Sequence, residues 1–110
     1  MVSVDIDLRP VNDAESFHAA FATALGFPDF YGNNMNAWED VMSDLSRPGL
    51  VGMTRVTVPR GEYIVLVLSG GDEFRTRQPD LFAALWESTA SINRSKAAMS
   101  GATRILLLPL

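Results

Sequence analysis

The 110-residue sequence contains no cysteine and a single histidine. The first absence removes disulfides, Cys-based zinc sites and thiol nucleophiles together, and it fits a reducing compartment. The second leaves little for acid–base chemistry. His18 has no cysteine partner and no nucleophile-elbow serine near it, so a Ser-His-Asp arrangement lacks support; its place in the first helix reads as a surface or boundary position. Long apolar runs are also missing. The longest, residues 64–68 and 105–110, fall far short of the roughly 20 residues that cross a bilayer. The first ten residues carry Asp5, Asp7 and Arg9 in place of the basic start and apolar centre of an export signal, so the expected location is cytoplasmic.

Positive charge is scarce in one half of the chain. No Lys or Arg stands between Arg9 and Arg47. Up to Ser46 eight carboxylates face one Arg, a net −7, whereas from Arg47 onward eight cations face five carboxylates, a net +3. The total of −4 is the remainder of these opposed halves. An anionic half argues against direct nucleic-acid binding and favours a cationic partner.

What the sequence does have is ordinary for a globular domain: 47% apolar and 20% charged residues, in a length that suits one domain over residues 1–110. Val2, Val4, Ile6 and Leu8 alternate with Ser3, Asp5 and Asp7, which predicts a half-buried strand over 2–8. Asn12 or Asp13 then caps a helix burying Phe17, Ala20, Phe21, Ala24 and Leu25 and ended by Gly26. A turn-rich loop, 29–34, leads into a second helix over 34–45. The connection 47–60 holds Pro48, Gly49, Gly52 and Pro59, with room for a short strand over 54–58. Residues 63–68 are apolar without alternation, as in a strand covered on both faces. A short helix around 72–76, a long one from Pro79 to about 100 with Gly101 as its stop, and a last strand over 104–108 complete the order. Strands joined by helical crossovers pair in parallel, so the expectation is an α/β layer with a three-stranded parallel sheet packed by three to four helices.

Most chemical motifs fail on inspection. Residues 29–40 have the length of a calcium loop, but Tyr31 sits at its third position and Asn34 at its sixth, where Gly is required. Ser69-Gly70-Gly71-Asp72 lacks the Lys of a P-loop and the three-glycine dinucleotide spacing. Glu39 and Asp40 are adjacent, about 100° apart on a helix, unlike glycosidase carboxylates facing each other across a cleft. No catalytic residue, metal site or cofactor is expected.

The informative stretch is 27–42, read with Leu45 on the same helix. At 100° per residue, Met35, Trp38, Met42 and Leu45 fall within about 80° of arc. Opposite them Asn33, Asn36, Glu39, Asp40, Ser43 and Asp44 form a polar, anionic face. Beside it stand Phe30 and Tyr31 on the loop, and an aromatic anchor next to charge is what protein interfaces use.

Phe30-Tyr31-Gly32-Asn33-Asn34, followed by a helix carrying Glu39 and Asp40, resembles the barstar-like family. A weaker similarity runs over the whole chain; Asn93-Arg94 before Gly101, and the connection through Gly52 to Arg55, look like its longer bacterial members. The resemblance implies a three-stranded parallel sheet, no enzymatic activity, and an intracellular inhibitor that occludes the active site of a guanyl-specific ribonuclease or related toxin nuclease. It places Phe30, Tyr31, Gly32, Asn34, Asn36, Glu39, Asp40, Ser43 and Asp44 at the partner-binding face, with Asp40 as the charged anchor. Phe30 replaces a Tyr of the family pattern, Asn36 an Asp, Glu39 a Trp, Trp38 a core Leu and Val41 a Cys; Arg94 and Lys96 lie where the pattern has a further acidic contact. A monomer is expected when no partner is bound. A second reading keeps the same fold as a regulatory or adaptor domain with a non-nuclease protein partner.

Overall fold

The computed structural model describes residues 1–45, 54–96 and 103–110. Three parallel strands, β1 (Val2–Asp7), β2 (Tyr63–Ser69) and β3 (Arg104–Pro109), lie in the order β1-β2-β3. The helices between them are α1 (Ala14–Leu25), α2 (Met35–Met42), α3 (Gly71–Arg77) and α4 (Pro79–Lys96). The expected layer structure is thus the observed one, with four helices.

Register follows from the side-chain alternation. Val4, Leu66 and Leu107 stand abreast, as do Ile6, Leu68 and Pro109. One face of the sheet therefore gathers Ile6, Ile64, Leu66, Leu68 and Ile105 into the core with Phe17, Phe21, Trp38, Phe74 and Leu85. The other face is more open, and here the expectation for β2 fails. Val65 and Val67 are half-buried, and their neighbours on β3, Leu106 and Leu108, are 43% and 48% exposed. An unbroken apolar run cannot tell a strand covered on both faces from one covered on a single face, since both satisfy the same β propensity.

Local chemistry sets the helix ends. Asp13 caps α1 in a capping box, its side chain accepting from the Ser16 backbone N–H at 2.8 Å while the Ser16 hydroxyl accepts from the Asp13 N–H. Gly26 closes the helix in the left-handed region, φ 68°, which a side chain would strain. The second helix is shorter than its pattern, ending at Met42 with Ser43 as cap, although Leu45 remains buried. The stretch 54–58 forms no strand: Arg55 and Val56 donate to Gly26 and Leu25, and Val58 to Leu45. These partners lie at the C-terminal end of α1 and on the turn after α2, so the segment straps the helical layer. The rest of the 47–60 connection up to Met53, and the expected helix stop at Gly101, lie outside the described residues.

The start of the β3 edge is covered by a side chain. The Asn93 amide donates to the Ile105 carbonyl at 2.9 Å and accepts from the Ile105 N–H at 3.0 Å, standing in for a fourth strand. Pro109 offers no N–H further along. Such capping protects an edge from pairing with another chain. Asn93→Ala is expected to cost about 1–3 kcal/mol, the penalty for leaving part-buried backbone groups unpaired, read as a lower urea midpoint at unchanged slope.

Candidate functional site

An eight-residue helix is marginal on its own, so the position of α2 depends on its caps and its anchor. Asn34 supplies the first, its side-chain oxygen accepting from the Ala37 N–H at 2.8 Å and its amide donating to the Gly32 carbonyl at 3.2 Å. Asn33 just before it takes a left-handed φ of 54°, a conformation that Asn tolerates better than most residues. A Cβ on Gly32 would stand 3.2 Å from Asn34 Nδ2, so the turn is drawn tight against the helix start. Asn34→Ala is expected to lower stability by about 1 kcal/mol through loss of this cap, measured by urea denaturation.

Trp38 is the anchor. It is fully buried and meets Phe21 of α1 edge-to-face, with ring centroids 5.6 Å apart. Val41, Met42 and Leu45 are buried with it, as the helical phase requires, and α2 lies against α4. With that face turned inward, Asn36 and Asp40 point outward and are exposed, while Glu39, Ser43 and Asp44 are half-buried. The Ser43 hydroxyl turns back to donate to the Glu39 carbonyl at 2.6 Å. Among the described residues Glu39 and Asp40 have no ion pair and no side-chain hydrogen bond.

The loop splits its two aromatic residues. Phe30 is 77% exposed, whereas Tyr31 is 8% exposed, packed between Phe27 and His18 at centroid distances of 4.6 and 5.6 Å. The Tyr31 hydroxyl and His18 Nδ1 are 2.5 Å apart, a buried hydrogen bond across the base of the loop. Of the residues assigned to the binding face, Phe30, Gly32, Asn34, Asn36 and Asp40 are therefore presented to solvent; Tyr31 supports them from beneath.

His18 is not a surface or boundary residue. It is 3% exposed, with the Phe17 ring against it at 5.1 Å. The spacing 18, 21, 25 is itself a helical stripe, and it carried the signal; the loop folding back over α1 widens the buried arc to include it. Burial holds its imidazole below the ordinary 6.5 and pushes the Tyr31 hydroxyl well above its ordinary 10.0. A folded state that disfavours the imidazolium loses stability as the pH falls through 6.5, and one that disfavours the phenolate loses it as the pH rises through 10.

Among the described residues no group of three or more His, Asp or Glu could hold a metal ion, and no helix is long and apolar enough to cross a membrane. Among the described residues one groove runs between the β1 edge and α1, lined by Asp5, Asp7, Val11 and Thr23 among others. The candidate site is the anionic outer face of α2 together with exposed Phe30 on the loop that precedes it.

The family model Barstar (barnase inhibitor) matches residues 1–107, and the chain belongs to this family, whose members are inhibitors and not enzymes. No curated protein matches the chain.

Proposed function

We propose that the chain is an intracellular inhibitor that binds a barnase-type, guanyl-specific ribonuclease or a related toxin nuclease and occludes its active site. The observation that carries this reading is the pair of carboxylates, Glu39 and Asp40, without a partner among the described residues, following a loop with exposed Phe30, in a stretch with no Lys or Arg between Arg9 and Arg47. Family membership supports it. A nuclease that holds polyanionic RNA presents Arg, Lys and His. An anionic face is steered toward such a site and then exchanges water for those cations.

Asp40 is the charged anchor of this mechanism. Glu39 supplies a second carboxylate from the next position on α2, and Asn36, Ser43 and Asp44 complete the polar rim. Phe30 projects from the loop as the apolar contact, Gly32 keeps the loop close to the helix, and Asn34 fixes where the helix begins. Inhibition requires no covalent step, metal or cofactor, because filling the RNA site is sufficient.

Capture on the immobilised chain from secreted and cytosolic fractions of the source cell, eluted with rising salt, tests the reading. The expected eluate is a basic protein with ribonuclease activity that is released by salt. Recovery of only neutral or acidic proteins without nuclease activity would overturn it in favour of an adaptor role for the same fold.

A further inference from the structure

We propose that His18 is a positioning residue for the partner-binding loop: its neutral imidazole holds the Tyr31 hydroxyl, Tyr31 in turn fixes the backbone that presents Phe30 and leads to Asn34, and protonation of His18 loosens this loop and weakens partner binding. This rests on the inhibitor reading for the binding step and on the structure alone for the loop.

The geometry makes Tyr31 the inward peg of the loop. Phe30 and Gly32 on either side of it are exposed, and the one backbone hydrogen bond of this turn, from the Tyr31 N–H to the Pro28 carbonyl at 3.0 Å, is local. Depth is therefore set by the Tyr31 side chain: its ring between Phe27 and His18, and its hydroxyl on His18 Nδ1. Three residues further on, Asn34, its amide on the Gly32 carbonyl, caps the start of α2, so a shift of the peg moves the face that carries Asn36 and Asp40.

Among the described residues nothing pairs an imidazolium at His18. Tyr31 is the titratable group against the ring from the loop, and the Phe17 ring covers it from its own helix. Glu15 lies one turn earlier on α1 and is exposed. At the end of β1, Asp7 and Arg9 are engaged with each other. At the end of α3, the Arg77 guanidinium is held on the Leu8 and Val11 carbonyls. Neither they nor Glu39 and Asp40 of α2 act on the imidazole, which burial alone shifts. A proton on His18 thus places an uncompensated cation in the core, and the relief is for the ring to leave the Tyr31 hydroxyl for water.

The test has one arm without a partner and one with barnase as the probe. In the first, NMR follows His18 and the amide exchange of residues 30–36 from pH 8 to pH 5. The expected result is a His18 midpoint below 6.5, with loop exchange rising at that same midpoint; loop exchange that ignores the His18 titration would overturn the proposal. In the second, the affinity ratio between the native chain and His18→Asn is measured at pH 7.5 and pH 5. Asn keeps a hydrogen-bonding group near the Nδ1 position and does not titrate, and the ratio cancels titrations within barnase. At least a fivefold shift of the ratio, to the disadvantage of the native chain at pH 5, is expected, and a constant ratio would contradict it. If His18→Asn does not fold, Tyr31→Phe takes its place, with weaker binding at pH 7.5 and a reduced pH slope expected. Should barnase fail to bind at either pH, the inhibitor reading falls while the first arm still decides the role of His18.

Discussion

Replacing Asp40 with Ala is expected to weaken binding to a barnase-type ribonuclease by at least about 2 kcal/mol, near thirtyfold, while leaving thermal stability unchanged. The two halves of this result have separate causes. Asp40 is exposed and has no partner among the described residues, so its removal takes away no folded-state interaction. In a complex the same carboxylate would meet the cations of an RNA site, and truncating one member of a buried charge pair costs about 2–5 kcal/mol, a range to which barnase complexes themselves contribute. Calorimetric titration at low salt gives the affinity and thermal denaturation the stability. Asp40→Asn distinguishes charge from shape, because it keeps the volume and should lose most of the same energy. Equal affinity for all three proteins would move the interface off α2.

Trp38→Ala is expected to act the other way, with a loss of about 3–5 kcal/mol of stability, the range for large aromatic truncations in a core. Domains of this kind have only about 5–15 kcal/mol in total, so the variant should be partly unfolded in moderate urea. Trp38 is fully buried, and its contact with Phe21 is what ties α2 to α1. Its indole N–H has no hydrogen-bond partner among the described residues. Trp38→Phe should accordingly cost much less than Trp38→Ala, since it retains most of the ring and removes an unsatisfied donor. Urea denaturation followed by far-UV circular dichroism separates the variants. A Trp38→Ala protein as stable as the native chain would mean that the caps and the α4 contact hold α2 without its anchor.

These two positions also mark how much could be read from the residues. Helical phase alone put Trp38 inward and Asp40 outward, because both lie in a short stretch where one period governs every side chain. The strands were equally legible: Val2, Val4 and Ile6 alternate with polar neighbours, and parallel pairing follows from the helices between strands. What escaped depends on contacts between distant segments. The Thr54 to Val58 stretch has strand-like residues, yet its backbone donors are satisfied at Leu25, Gly26 and Leu45. The burial of His18 depends on Tyr31, thirteen residues away, folding over it. The Asn93 cap on Ile105 likewise joins a helix to a strand whose proximity only the fold reveals.

The binding face divides along the same line. The polarity of Asn36, Glu39, Asp40, Ser43 and Asp44 follows from the wheel, and the family pattern drew attention to the loop. Which loop aromatic would face solvent did not follow, since Phe30 and Tyr31 are adjacent and similar in size. The structure turns Phe30 out and Tyr31 in. The difference is physical: the Tyr31 hydroxyl finds a buried acceptor or donor in His18, whereas Phe30 has no polar atom with which to use that site.

The most direct measurement is an inhibition titration: a fixed concentration of a barnase-type ribonuclease, increasing amounts of the purified chain, and RNA cleavage as the readout. Occlusion by the α2 face predicts a linear fall in activity to near zero at one equivalent, and a shallow curve displaced to excess inhibitor for Asp40→Ala. Full ribonuclease activity in a large excess of the native chain, or identical curves for the two proteins, would contradict it.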